Sequence, residues 1–162
     1  MSSLLRSAAL RLTLLALCGV AGFSLRTAAA DLPDNTATGS FLPKGGVPVA
    51  LTSAAAFVDE KDSRKPIILI LSDQKLPTEK WTSEFDLMRA HAEFSGVLFW
   101  FEQDGKVFRT DIYVAGRQSS VSGYFELKLA GPVGKDLTGS AKATEPVGDG
   151  PRLEATFRAK LR

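Results

Sequence analysis

The sequence predicts a mainly β domain, an antiparallel barrel or strongly curled sheet of about eight or nine strands with one short helix. Short apolar or alternating runs recur along the chain, and turn residues separate them. Asp104-Gly105 lies between two of these runs, as in a tight β-hairpin. The segment after Pro77 has the spacing of an amphipathic helix. A two-sheet β-sandwich fits the same pattern and remains the alternative.

Residues 1–30 have the layout of a secretory signal peptide. Two arginines precede a mostly apolar run from Leu12 to Phe23, and Ala28-Ala29-Ala30 provides a site for cleavage after Ala30. The run is shorter than the roughly 18 residues of a membrane anchor, so we expect no transmembrane segment in the mature chain. A lipoprotein attached through Cys18 is disfavoured, because Leu17 stands where a small residue is expected. These features predict a periplasmic or secreted protein.

Removal of the leader changes the charge of the protein. The whole chain has 20 basic and 18 acidic residues, and the leader takes Arg6, Arg11 and Arg26 and no acid, which leaves 17 basic against 18 acidic residues and a net charge of −1. Without a basic cluster, this composition argues against a nucleic-acid partner. We expect a flexible N-terminal tail over 31–37, followed by a single β domain over 38–162.

The first half of the domain contains four predicted strands. Thr38–Leu42 and Val47–Leu51 flank Lys44-Gly45-Gly46 and form a hairpin, and Ser53–Asp59 forms the third strand. Ile67–Leu71 consists of five consecutive aliphatic residues and is too short for a buried helix. Because side chains alternate between the faces of a strand, both faces of this one should be covered.

A short helix is the predicted cover for one face of Ile67–Leu71. Trp81, Phe85, Met88 and Ala92 recur at intervals of four, three and four residues, which places them on one helical stripe. Ser83 precedes this helix as a cap, with Asp86 three positions later. We therefore expect Trp81 and Phe85 to pack over the strand, and Phe85→Ala to cost about 3–5 kcal/mol.

The Asp104-Gly105 turn sets a register between the strands on either side of it. It predicts the pairs Phe101 with Phe108, Phe99 with Thr110, Val97 with Ile112, Trp100 with Arg109, and Leu98 with Asp111. The first three pairs should face the core. The opposite face is mixed, and its apolar residues predict that something covers it.

Three further strands are predicted in the last part of the chain. Val121–Leu129, Leu137–Ala143 and Arg152–Leu161 each alternate apolar and polar residues. A period of two with one apolar face is typical of antiparallel strands whose other face meets water.

The sequence offers little that indicates catalysis, and it predicts no metal site and no cofactor. His91 is the single histidine, and a zinc site would have to rest on carboxylates alone. No Gly-x-Ser-x-Gly elbow and no phosphate-binding glycine loop occurs. A carboxylate pair drawn from Glu102, Asp111 and Glu126 stays open as a third hypothesis, a hydrolase, because such pairs can be distant along the chain.

Aromatic residues are the better candidates for ligand binding. Those that could line a pocket for a small apolar ligand are Trp81, Phe85, Trp100, Tyr113 and Tyr124. Aromatic residues in a β domain are also the usual core, so the same residues fit a purely structural role.

Three stretches of the sequence carry a resemblance. They are Gly46–Phe57 (GVPVALTSAAAF), Ile68–Pro77 (ILILSDQKLP) and Glu154–Leu161 (EATFRAKL). With them the chain resembles exported β-rich proteins of Gram-negative bacteria that have no assigned activity. The resemblance implies export and a β domain, and it implies no functional residue.

The leading functional expectation is a noncatalytic, exported β domain that acts by binding or as a structural component of the cell envelope, with an envelope protein or a small ligand as partner. The alternative is a lipocalin-like carrier that holds a small apolar ligand inside its barrel.

Overall fold

The computed structural model describes residues 29–89, 93–121, 123–144 and 148–162. They form one sheet of nine antiparallel strands, with the order β6-β5-β4-β3-β2-β1-β9-β8-β7. The strands are β1 (Thr36–Leu42), β2 (Val49–Val58), β3 (Ile67–Ser72), β4 (Gly96–Phe101), β5 (Val107–Val114), β6 (Arg117–Val121), β7 (Phe125–Leu129), β8 (Asp136–Ala143) and β9 (Arg152–Lys160). A 3₁₀ turn (Thr78–Lys80) and one short helix, α1 (Glu84–Arg89), lie between β3 and β4. The predicted strongly curled sheet is confirmed, and the strands form a single sheet rather than a sandwich.

The sheet is curled into a half-barrel. Its edge strands, β6 and β7, are consecutive in the sequence, although they lie at opposite ends of the strand order. Val121 and Phe125 are four Cα–Cα steps apart, so these ends of the two edges lie within about 15 Å of each other. A side chain at Gly105 in the β4–β5 turn would also meet Leu129 of β7 at 3.5 Å.

The concave side of the sheet is packed with apolar side chains from its strands. The fully buried residues of this inner core include Phe41, Phe99, Phe101, Phe157, Leu69 and Leu71. Phe125 packs edge-on to Phe41, with ring centroids 6.3 Å apart. The apolar faces predicted for the last part of the chain all point into this core, including Leu137, Ala141 and Leu153.

A second apolar cluster lies on the outer surface of β2 to β5. It contains Phe57, Ile68, Ile70, Leu98 and Trp100 from the strands, covered by Leu76, Trp81, Leu87 and Phe94 from the segment between β3 and β4. Every residue of β3 is buried, which confirms that Ile67–Leu71 is covered on both faces. Trp81 packs edge-on to Phe57 with centroids 6.0 Å apart, as expected for a residue of the cover.

The predicted role of Phe85 is wrong. Phe85 is 50% exposed and Met88 56% exposed, while Leu87 is the buried residue of α1. The ring of Phe85 lies instead near two surface cations, with Arg89 Cζ 4.5 Å from its centroid. Phe85→Ala should therefore lower the free energy of unfolding much less than predicted, because half of the side chain is already exposed.

The register around the Asp104-Gly105 turn is confirmed for four of the five predicted pairs. The exception is Phe101, which pairs with Val107 because the register shifts by one residue after Trp100. The shift moves Phe108 out of the core, where it is 39% exposed and lies under the guanidinium of Arg64.

Several predicted strand boundaries differ from those observed. The two strands predicted within 47–59 are one strand, β2, and an irregularity in its pairing with β1 lets both Leu51 and Ala54 face the inner core. The strand predicted as Val121–Leu129 is broken at Gly123, whose φ is +73°, into the end of β6 and all of β7.

The N-terminal end of the domain is tied to β9. β1 begins at Thr36, two residues before the predicted start of the domain. Lys160 donates its backbone N–H to the side chain of Asn35, and Arg158 Nε lies 2.9 Å from Asp34. Most of the predicted leader, residues 1–28, and His91 lie outside the described residues.

Candidate functional site

Asp111 of β5 is the most deeply buried charged residue on the outer surface, with no exposed area. Its carboxylate accepts hydrogen bonds from Arg109 Nη2 at 2.6 Å and from the Ser120 hydroxyl at 2.7 Å. The side-chain amide of Gln118 is a third donor. A buried carboxylate needs such partners, because burial without them would cost several kcal/mol.

Arg109 connects this buried carboxylate to the helix. Its guanidinium donates to both carboxylate oxygens of Glu84 in α1, at 2.8 and 3.0 Å. It also lies over the ring of Trp100, 4.2 Å from the centroid. Burial alone would lower the pKa of Arg109, but its hydrogen bonds to Asp111 and Glu84 outweigh burial and raise the pKa.

A second buried carboxylate fixes the other side of α1. Asp59, at the end of β2, accepts the backbone N–H of Glu84 at 2.9 Å and that of Lys61 at 3.0 Å. Ser83 directly precedes α1, but its hydroxyl donates to the Asp86 carboxylate instead of accepting a backbone N–H of the helix as a predicted cap would. The Thr82 backbone N–H, which also donates to Asp86, holds the pKa of that carboxyl below its usual range.

Together with the Arg109 contacts, these bonds hold the cover on the sheet. We call the residues Glu84, Arg109, Asp111, Gln118 and Ser120 the clamp.

The clamp stabilises the fold by binding α1 to the sheet. Asp111 has no exposed surface through which to meet a substrate, and its oxygens are already occupied by protein donors. The other predicted carboxylates lie elsewhere: Glu102 follows β4, and Glu126 on the opposite edge strand is 3.2 Å from Lys142. Asp111, whose oxygens are bound by Arg109, Gln118 and Ser120, is therefore not available as a member of the carboxylate pair of a hydrolase.

The five aromatic residues predicted to line a ligand pocket do not form one pocket. Trp81, Trp100 and Tyr113 belong to the outer cluster, Phe85 points away from it, and Tyr124 lies in the β6–β7 connection. Tyr113 stacks on Phe94 with centroids 4.8 Å apart. Burial, with the nearby charges of Asp111 and Glu84, raises the pKa of Tyr113 to about 12.

Tyr113 also borders a cavity of about 380 Å³. Its apolar wall includes Leu87, Met88 and Phe94, and the β5–β6 hairpin supplies Arg117 and Gln118. The cavity is thus lined by both polar and apolar groups.

Two adjoining clefts lie on the outer surface of β1, β9 and β8, away from the described part of the segment between β3 and β4. The larger, about 560 Å³, is lined by Ser40, Leu42, Pro48, Lys142, Ala143, Arg152, Leu153 and Glu154. The smaller, about 300 Å³, is lined by Thr38, Gly39, Ser40, Ser140, Ala141, Lys142, Glu154, Ala155 and Thr156. Three residues, Ser40, Lys142 and Glu154, belong to both.

Strand pairing explains how these side chains meet. Ser40 pairs with Glu154, which pairs in turn with Lys142, so the three form one row across β1, β9 and β8. The row continues into β7, where Glu126 pairs with Lys142 and its carboxylate lies 3.2 Å from the Lys142 ammonium. Glu154 is therefore left as the anionic group at the junction of the two clefts.

Small residues create the depth of the smaller cleft. Thr38 and Ser140 lie in the neighbouring row on either side of Thr156. A Cβ atom at Gly39 would lie 2.1 Å from the backbone oxygen of Glu154, so β1 and β9 approach too closely there for any other residue. Sequence alternation predicted this polar face, whereas the clefts depend on side-chain size across three strands.

Comparison with known proteins gives no relative for this architecture: no protein-family model, no curated protein and no solved structure matches the chain. Within the described ranges, no group of three or more His, Cys, Asp or Glu side chains is placed to hold a metal ion. No helix in that part of the chain is long and apolar enough to cross a membrane.

Proposed function

We propose that the chain is an exported, noncatalytic binding domain of the cell envelope and that its ligand binds on the outer surface of β1, β9 and β8. The observation that carries the proposal is the pair of adjoining clefts that share Ser40, Lys142 and Glu154. Ligand sites in proteins are concave and combine apolar walls with a few convergent polar groups. The larger cleft has this composition, with Leu42 and Pro48 beside Glu154.

The rest of the fold supports this choice of surface. The inner core is filled by its own phenylalanine side chains, which is typical of small barrels. The outer surface of β2 to β5 is occupied by the cover, and the clamp beneath α1 uses its charged groups to hold that cover. Within the described residues, the outer surface of β1, β9 and β8 carries no apolar cover of this kind.

The polar groups of the clefts define the kind of ligand. Glu154 offers a carboxylate to a cationic group, and Thr38, Ser40, Ser140 and Thr156 offer hydroxyls that donate and accept. We propose a small polar ligand that carries an ammonium group and several hydrogen-bonding groups. Export follows from the leader-like residues 1–30 and remains part of the proposal.

Native mass spectrometry of the mature protein, purified from the periplasm of its own cells, tests the proposal. Ser140→Trp fills the smaller cleft, and Gln103→Trp in the β4–β5 turn is a control that lines neither cleft. We expect a bound mass on the parent and on Gln103→Trp that is lost from Ser140→Trp. Equal occupancy of all three proteins, or none on the parent, would contradict the proposal.

A second candidate is carriage of a small apolar ligand, and the cavity beside Tyr113 favours it over a site inside the barrel. Anilinonaphthalene sulfonate serves as an apolar probe. Met88→Trp narrows this cavity, whereas Ser140→Trp does not touch it. Probe fluorescence that falls in Met88→Trp alone would support the carrier, and equal fluorescence in both variants would reject it.

A further inference from the structure

The two edges of the sheet are protected to different degrees. β7 carries the charged residues Glu126 and Lys128, and its end lies against the β4–β5 turn through Leu129. β6 has the sequence RQSSV, and its first four residues are exposed. Exposed strand edges are templates for pairing with another chain, and natural proteins usually protect them with charge, proline or a cover. Among the described residues, β6 has only Arg117 for this purpose.

The β5–β6 turn determines which backbone groups of β6 are free. Ala115 and Gly116 both have positive φ, +49° and +76°, and Val114 pairs with Arg117 directly outside them. This is the geometry of a two-residue hairpin of type I′. The residues next to such a turn exchange both backbone hydrogen bonds, and hydrogen-bonded pairs then alternate along the ladder.

It follows that Arg117, Ser119 and Val121 direct their backbone groups to β5. Gln118 and Ser120 direct theirs to the open edge. The side chains of Gln118 and Ser120 are already bound to Asp111, which fixes the orientation of these two residues. The open edge of β6 is thus a rigid strand with two donors and two acceptors at alternate positions.

We propose that two copies of the chain pair antiparallel through β6, with the two-fold axis at Ser119. In this register Gln118 faces Ser120 of the partner subunit, and both residues direct their N–H and C=O groups to the shared edge. The pairing would form four backbone hydrogen bonds, because each of the two equivalent pairs exchanges two. The sheets of the two copies would become continuous.

The edge is complementary to itself. Ser119 meets Ser119 of the partner subunit as a non-hydrogen-bonded pair, with Cα atoms about 4.5 Å apart, and small hydroxyl side chains fit such a contact. The two Arg117 residues lie four residues apart along the strand direction, a separation of about 14 Å. That distance exceeds the Debye length of about 8 Å at physiological ionic strength, so their repulsion is screened.

The partner is therefore a second copy in a weak, concentration-dependent dimer. A contact of five residues on each side is smaller than the roughly 20–30 residues a side of a standard protein interface. The dimer is independent of the proposed ligand site, which lies on β1, β9 and β8. A result that rejects the dimer therefore leaves the ligand site open to test, and a result that rejects the ligand site leaves the dimer open to test.

Sedimentation velocity of the mature chain, from low to high micromolar concentration, tests the dimer. Ser119→Asp places two like charges directly opposite each other across the axis. Ser63→Asp makes the same change in the exposed loop after β2 and is the matched control, and Ser119→Thr is a neutral control at the same position. We expect the parent and both controls to associate with rising concentration, and Ser119→Asp to sediment as a monomer throughout.

Amide hydrogen exchange of the parent gives a second readout that needs no variant. The N–H groups of Gln118 and Ser120 should become more protected as concentration rises, while those of β7 do not change. A parent that stays monomeric at high concentration would overturn the proposal. So would a Ser119→Asp protein that associates like the parent, or association without protection of these two amides.

Discussion

The outer surface of the sheet has two halves that differ in how their strands are built. On the covered half, all six residues of β3 and all six of β4 are buried, because the inner core takes one set of side chains and the cover takes the other. On the open half, β8 and β9 alternate buried with exposed or partly exposed residues. Within one continuous sheet, the strands of the covered half are continuous apolar runs, and the strands of the open half alternate apolar and polar residues.

The difference also separates the roles of the charged residues. On the covered half, Glu84, Arg109 and Asp111 are bound to one another and hold α1 in place. On the open half, Lys142, Glu126, Lys160 and Asp136 form ion pairs whose members are all 38% exposed or more. On the covered half the charged residues thus hold the cover in place, whereas on the open half they pair with one another at the exposed surface. The following experiments test that division.

The largest effect is expected from Asp111→Ala. The substitution leaves the guanidinium of Arg109 without its buried partner and removes the acceptor of Gln118 and Ser120. Breaking a buried ion pair in this way typically costs about 3–5 kcal/mol. Chemical denaturation of the parent and variant measures the change.

Asp136→Ala is the matched control on the open half. Asp136 lies near Lys160 Nζ, at 2.5 Å, and this hydrogen bond holds the pKa of Asp136 below its usual range. The pair is exposed, so its removal should leave the denaturation midpoint almost unchanged. Equal losses in Asp111→Ala and Asp136→Ala would remove the distinction between the two halves.

The cover itself should respond next most strongly, at Trp81. Trp81 is buried against Phe57, and truncation of a buried tryptophan costs about 3 kcal/mol or more. Phe85→Ala, in the adjoining helix, should cost less than about 1 kcal/mol because its ring is half exposed. Thermal melting of both variants decides the assignment, and a larger loss in Phe85→Ala would mean that α1 packs with its other face inward.

The error over Phe85 has a physical cause. Spacing arguments assume one continuous helix from Trp81 to Ala92, but Trp81 has extended backbone, with φ −85° and ψ 128°, and α1 begins only at Glu84. Trp81 and Phe85 are consequently not on a common helical stripe. The burial of Ile67–Leu71 was predictable, since five aliphatic residues cannot all face one side of a strand.

Edges and tertiary contacts were the other features that the sequence did not predict. β6 was missed because an exposed edge strand has no apolar alternation, although Ala115-Gly116 between Val114 and Arg117 is a hairpin signal. The alternation in β5 does place Arg109 and Asp111 on one face. Their partner Glu84 lies 25 residues away from Arg109 in the chain, and sequence periodicity contains no information on such a contact.

A smaller loss is expected from Glu84→Gln. This variant keeps the shape of the side chain but removes the charge that binds Arg109 from the helix side, while Arg109 retains Asp111. Loss of a charge-assisted hydrogen bond costs about 1–2 kcal/mol. Amide exchange should show faster local opening of α1, at Leu87 above all, with β3 unchanged. Uniformly faster exchange in both elements would show that α1 opens only when the whole domain unfolds.

The effect that is smallest at neutral pH, and that appears only at high pH, concerns the two tyrosines, Tyr113 beneath the cover and Tyr124 in the β6–β7 connection. Tyr113 has a pKa of about 12 in the folded protein, against an ordinary value of 10.0. Between these two pH values the unfolded chain has released the phenolic proton and the folded chain has kept it. The unfolded state therefore binds fewer protons, and the free energy of unfolding falls as the pH rises through this window, having been unaffected by Tyr113 below pH 10.

Denaturation midpoints measured from neutral pH to pH 12 test whether Tyr113 lowers the stability of the fold over this pH range. Tyr113→Phe should flatten the fall in stability between pH 10 and pH 12, because phenylalanine has no proton to release. Tyr124→Phe, at the exposed β6–β7 connection, should keep the fall of the parent. In that variant Tyr113 is the remaining tyrosine, so tyrosinate absorbance reports its titration directly. A titration near the ordinary value would show that water and hydroxide reach Tyr113, and that the cover over this part of the sheet is open in solution.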